Sequence, residues 1–185
     1  MATRYFSLVV LLLLGGCVTQ PPRETIHDIK DVSQLRDWSA QGRIGITGVA
    51  QAGSGAFAWQ QINSVSQVHL HGPLNTGSVY VLLDDTLHLT LGNGEHYDAD
   101  AALDVLSAQL GTAIPVRQMS YWLRGVPAPG AYQWSSAGGR VLQQDGWHIE
   151  YGDTVDVNGL LLPKRITATR DAVRIRVVIS QWQLQ

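Results

Sequence analysis

Cys17 is the only cysteine, so the chain has no internal disulfide. Charge is sparse as well: Asp, Glu, Lys and Arg make up 15% of the residues, and the formal net charge is −2. With no Lys/Arg cluster, the electrostatic footprint of a nucleic-acid-binding protein is missing. The apolar run from Tyr5 to Leu14 falls well short of the about 20 residues that a membrane-spanning helix needs. No Gly-rich segment leads into Lys-Ser or Lys-Thr, which argues against a P-loop, and no G-x-S-x-G nucleophile elbow occurs. What is present is 185 residues, 45% of them hydrophobic, enough for one domain with a sizeable core and little for a second.

The N-terminus has the layout of an export signal, with Arg4 ahead of the Val/Leu-rich run and small residues after it. Leu14, Gly15, Gly16 and Cys17 resemble the lipobox of bacterial lipoproteins, in which the cysteine is lipidated and becomes the mature N-terminus. That resemblance implies a signal peptide over residues 1–16 and a lipid on Cys17, with no other cofactor. Val18 stands where such lipoproteins commonly carry Asp to remain in the inner membrane, so the resemblance implies sorting to the outer membrane. Residues 17–30, including "VTQPPRET", read as a flexible tether, and residues 31–185 as a single domain.

The spacing of Leu35 and Trp38 predicts a short helix from about Val32 to Trp38. Period-two alternation follows, with Ile44 and Ile46, Phe57 and Trp59, Val68 and Leu70, and Leu87, Leu89 and Leu91 each set against polar or small neighbours. One apolar face and one wet face are the mark of an antiparallel sheet. Turn signals separate the strands near Gly53, at Asn63-Ser64, through "GPLNTG", at Asp84-Asp85 and at "GNG". Two amphipathic helices interrupt them: "DADAALDVLSAQLG", with Leu103, Leu106 and Leu110 on one face, and "PVRQMSYWLRG", starting at Pro115 and stopping at Gly125. Strands then resume in a hairpin turning at Asp145-Gly146 and in a final pair carrying Val173, Ile175, Val177 and Ile179 on one face.

Ten or eleven short antiparallel strands curl, and their shared apolar face needs a cover, which the two helices supply. Whether the enclosed space is a packed core or an apolar cavity is left open by the pattern. Within "HGPLNTGSVY", Gly72, Pro73, Asn75 and Gly77 are turn-formers, yet Leu74 stands at the tip.

"GAFAWQQ", "GPLNTGSVYVLL", "YWLRGVP", "DGWHIEY" and "LPKRI", in that order behind a lipobox, resemble the LolB family over about Leu35 to Trp182. The resemblance implies a mainly β (α+β) fold, an unclosed antiparallel β-barrel of about eleven strands with an α-helical lid over a hydrophobic cavity. It implies an outer-membrane lipoprotein facing the periplasm of a Gram-negative bacterium. Such a protein accepts lipoproteins from the periplasmic carrier LolA and inserts them into the membrane without nucleotide hydrolysis. Its partners are then LolA, the acyl chains of passenger lipoproteins and outer-membrane lipids, with no nucleic acid. Phe57, Trp59, Leu70, Leu89, Trp122, Trp147 and Ile149 are the candidates for lining the cavity. The family's protruding apolar residue for membrane incorporation falls on Leu74, beside Pro73, with Asn75 where glycine is usual.

Other chemistries are weaker. Asp84-Asp85 as paired carboxylates of a hydrolase is better read as a solvated turn, so no catalytic residue is expected. His69 and His71 share a strand face and His88 lies on another strand, but exposed histidines need no metal to explain them, and no metal site is expected. Arg117, Arg124 and Lys164 are basic groups open to an acidic partner. The stronger rival is an envelope lipoprotein of the same fold that binds a glycolipid or fatty acid, or serves a structural role.

Overall fold

Strands form where the sequence alternates. In the computed structural model, which describes residues 31–49, 52–72, 77–110, 112–135 and 139–185, the first half of the chain runs through six strands. These are β1 (Trp38–Thr47), β2 (Gly53–Ile62), β3 (Val65–His71), β4 (Ser78–Leu83), β5 (Leu87–Leu91) and β6 (His96–Asp98). Helices α1 (Ala99–Leu110) and α2 (Val116–Arg124) follow. The second half adds β7 (Tyr132–Ser135), β8 (Arg140–Gln144), β9 (Trp147–Tyr151), β10 (Thr154–Val157), β11 (Leu160–Pro163), β12 (Arg165–Arg170) and β13 (Val173–Leu184).

Eleven strands make one antiparallel sheet in the order β6-β5-β4-β3-β2-β1-β13-β12-β9-β8-β7, and β10 and β11 form a separate hairpin. No ladder joins β6 to β7 among the described residues, so the sheet curls without closing: an open antiparallel barrel with two helices laid into it. The halves meet at β1 and β13, the longest pairing, where a bulge falls between Gln41 and Gly42. Glycine is required there, because a Cβ on residue 42 would lie 2.0 Å from the Val178 carbonyl oxygen. The hairpin between β8 and β9 turns at Asp145 (φ 51°) and Gly146 (φ 76°), the paired positive φ of a type I′ turn.

Three local expectations are corrected. Only Val32–Gln34 is helical, a 3-10 turn capped by the Asp31 carboxylate accepting from Ser33 N at 2.8 Å. Leu35 leaves it in an extended conformation, and Trp38 enters β1 opposite Leu184. Both side chains are buried all the same, because the core that the spacing pointed to is reached from extended backbone. The Gly53 signal is not a turn but the start of β2, where Gly53 and Ser54 face Ile46 and Gly45. In α1 the buried stripe is Ala102, Leu106 and Leu110, which leaves Leu103 44% exposed. The other helix begins at Val116 with Pro115 at its N-cap, and it ends at Gly125 in the left-handed conformation (φ 79°).

Candidate functional site

Register builds the wall of the site. Across β1–β6 the pairing aligns Ala40, Trp59, Val68, Val81, Leu89 and Tyr97 in one row. A second row, Ile46, Ile175, Ala168, Ile149 and Leu142, crosses β1, β13, β12, β9 and β8. Between the sheet and the helices lies an apolar cavity of about 50 Å³. Ile44, Ile46, Trp59, Val68, Leu70 and Val81 line it from the sheet. Leu106, Leu110, Ile114, Val116 and Met119 line it from the two helices and their link, and among the described residues no polar side chain enters it.

Of the residues singled out from the sequence, Trp59 and Leu70 line this cavity. Phe57 is the direct cross-strand neighbour of Leu70, and Leu89 belongs to the same inward row as Trp59. Trp122 of α2 and Trp147 of β9 pack against each other with ring centroids 6.2 Å apart, and Ile149 is fully buried in the second row. Phe57, Leu89, Trp122, Trp147 and Ile149 do not line this cavity and belong to the buried cluster around it, which also includes Trp59. Among the other lining residues, Ile44, Ile46, Val68, Leu106 and Leu110 belong to apolar faces read from the spacing without being cavity candidates, whereas Val81 and Ile114 belong to neither group. The alternation of Val79, Val81 and Leu83 carried the signal for Val81, whereas nothing local marks Ile114, which sits between the helices. Cys17, Pro73 and Leu74 lie outside the described residues.

Directed bonds fix α2 over the sheet. The buried Gln144 carboxamide of β8 accepts from Trp122 Nε1 and from Ala128 N, both at 2.9 Å, and donates to the Ala128 carbonyl at 2.7 Å. The Arg124 guanidinium, also buried, donates to the carbonyls of Leu35 (2.6 Å) and Ser120 (3.1 Å). Burial lowers its pKa, with nearby Tyr121 opposing the effect. Arg124 is thus committed to the backbone and is no free cation for a partner, unlike the exposed Lys164. Arg117 reaches from α2 to the carbonyls of Asp84 and Asp85 at 3.1 and 2.9 Å.

Burial pushes the Tyr151 phenol far above the usual tyrosine range, while Arg140 nearby pulls it down. Among the described residues its hydroxyl has no hydrogen-bond partner.

Polar candidates sort differently. Asp84 accepts from Thr86 N at 2.8 Å, so its carboxylate holds its own turn. A larger hollow of about 720 Å³ is bounded by Arg36, Asp84, Asp85, Arg117 and Gln118 among others, a mixed polar wall unlike the cavity's. The rings of His69 and His71 lie tilted at 48° with centroids 3.8 Å apart, and burial followed by the charge of His71 lowers the His69 pKa. His88 is not with them: it stands opposite Leu82 and Asp98.

A family model described as outer membrane lipoprotein LolB matches residues 36–182. The outer-membrane lipoprotein LolB of Stutzerimonas stutzeri is 31% identical, over 93% of this chain and 91% of its own. That of Pseudomonas syringae pv. syringae is 31% identical over 96% and 93%, and that of Halorhodospira halophila 31% over 95% and 92%. Among solved structures, a DUF1329 family protein from Desulfovibrio piger superposes with a TM-score of 0.49 at 8% identity, covering 83% of this chain and 88% of that one. A LolA superfamily protein from Nitrosomonas europaea gives 0.47 at 10%, covering 82% and 87%. Because the family model and the relatives agree along nearly the whole described chain, it belongs to the LolB family of outer-membrane lipoproteins.

Proposed function

We propose that this protein receives lipoproteins from the periplasmic carrier LolA by taking their acyl chains between the sheet and its helices, and then delivers them into the outer membrane. The observation that carries the reading is the cavity, walled only by apolar side chains and bounded on one side by two helices. Each methylene of an acyl chain is worth about 0.8 kcal/mol kept out of water, so no step can release the chains into the periplasm. Transfer must then run along a continuous apolar route, downhill from carrier to receptor to bilayer, with no nucleotide consumed. At about 50 Å³ the cavity is about a third of the roughly 150 Å³ apolar cavity that holds one benzene, so a long acyl chain enters only when the helices move off the sheet. Membership of the LolB family supports a role in lipoprotein localisation.

In this reading Cys17 carries the lipid anchor, and Leu74, next to Pro73, touches the bilayer as cargo leaves. The test is transfer of a labelled lipoprotein from loaded LolA, first to the unlipidated chain and then to liposomes through the lipidated one. The unlipidated chain should strip the carrier. Leu74→Glu should keep the wild-type melting temperature and acceptance while losing most delivery to liposomes. A passenger that stays on LolA while the chain binds a fatty acid or glycolipid overturns the proposal.

A further inference from the structure

We propose that His88, His96 and Asp98 form a binding site for a divalent transition-metal ion of the zinc class, on the outer face of the sheet at its β6 edge. Register makes the site. His88 stands opposite Asp98 and Thr90 opposite His96 across β5 and β6, while Leu87 and Leu89 turn inward. One ligand atom from each of the three residues lies within 4.8 Å of the others. Asp98 Oδ1 is 2.5 Å from His88 Nδ1 and 2.9 Å from His96 Nε2. Tetrahedral ligands with metal bonds of about 2.0–2.2 Å stand roughly 3.3–3.5 Å apart, so a small outward shift of the two rings seats the ion.

The second nitrogen of each ring faces an oxygen: His96 Nδ1 is 3.1 Å from Thr90 Oγ1, within hydrogen-bond distance, and His88 Nε2 faces the Asp84 carboxylate across 3.6 Å, an electrostatic contact. Such outer partners fix the tautomer and orientation of metal-binding histidines. When each histidine keeps its proton on the nitrogen facing Thr90 or Asp84, two ring lone pairs and a carboxylate converge on one point, and that convergence calls for a cation. Two imidazoles and one carboxylate suit zinc or its neighbours, whereas calcium and magnesium demand a fuller set of oxygens. All three side chains are partly or well exposed, which leaves the remaining coordination positions to water. His69 and His71 offer no comparable site, since no carboxylate pairs with them among the described residues.

The location gives the ion something to hold. Asp98 ends β6, and the next residue, Ala99, opens α1 with a φ of 51°, a left-handed value that non-glycine residues rarely take. Bound metal would pin the point where the chain leaves the sheet to enter the helix over the cavity.

The test is calorimetric titration of the full-length chain with zinc chloride, with magnesium chloride as the control. One zinc per chain should bind, and magnesium should not compete. His96→Ala and Asp98→Asn should each weaken zinc binding by about tenfold or more while melting like wild type without metal. The His69→Ala/His71→Ala double variant should bind as wild type. Absence of zinc binding, insensitivity to both single substitutions, or loss in the double variant overturns the assignment. None of these readouts involves lipoprotein transfer.

Discussion

Gln144 shows how one buried polar side chain can hold an element in place. Its three bonds satisfy the Trp122 indole and both backbone groups of Ala128. In Gln144→Leu those groups lose their partners inside the core, and each unsatisfied group costs about 1–3 kcal/mol. The variant should lose about 3 kcal/mol in urea denaturation followed by tryptophan fluorescence. A loss below about 1 kcal/mol would mean that water replaces the carboxamide. Tyr151 gives a prediction in pH. Its phenol is protonated in the fold well above pH 10, where the unfolded chain already ionises, so the unfolded state binds fewer protons in that range. The contribution of Tyr151 to stability should therefore be constant below pH 10 and fall as pH rises beyond it. Absorbance at the tyrosinate band should show one tyrosine titrating only with unfolding, and Tyr151→Phe should remove that slope. A slope unchanged in the Phe variant would locate the alkaline loss elsewhere.

The two helices are held by different means. For α2, directed bonds run from Arg117, Trp122 and Arg124 to turns, strand and the segment that leads into β1. For α1, the described side chains make no hydrogen bond or ion pair, and its hold is the apolar stripe of Ala102, Leu106 and Leu110. Apolar contact is non-directional and tolerates sliding, whereas breaking the α2 bonds strands buried polar groups. Under the proposed function, α1 is then the element expected to lift when an acyl chain enters. Hydrogen exchange of the empty protein should show α1 amides exchanging about tenfold or more faster than those of α2. Adding a lipopeptide should change protection in α1 first. Equal protection, or a faster α2, would assign the movement to the other helix.

For the molecule as a whole, local patterns were legible and long-range placement was not. Phe57 with Trp59, and Ile175 with Val177 and Ile179, announced strands because a half-buried strand must alternate. Asp145-Gly146 announced its turn because few residues accept two positive φ values in succession. The Leu35–Trp38 spacing misled, since over so short a stretch a helix and an extended segment bury the same two side chains. Leu103 misled because the helix turned its small Ala102 inward instead, which only the neighbouring sheet decides. Register was illegible altogether: nothing near His88 says that Asp98 will stand opposite it, nor near Trp59 that Val68 and Val81 will share its row. The resemblance conveyed the open barrel and its lid, but which apolar residues wall the cavity and which pack around it depended on where the helices lie.

The small volume of that cavity sets the character of binding to it. A hollow of about 50 Å³ walled by hydrocarbon offers water no hydrogen-bond partner, so filling it releases little ordered water and yields little of the entropy that usually accompanies hydrophobic association. What an incoming chain gains is dispersion attraction to the walls, offset by the helix-to-sheet packing that it forces apart. Entry should register in a calorimeter as heat more than as entropy. Under the proposed function, a cavity so poorly hydrated when empty holds an acyl chain in a well that is shallow relative to the bilayer, and a load held so is one that the bilayer can take.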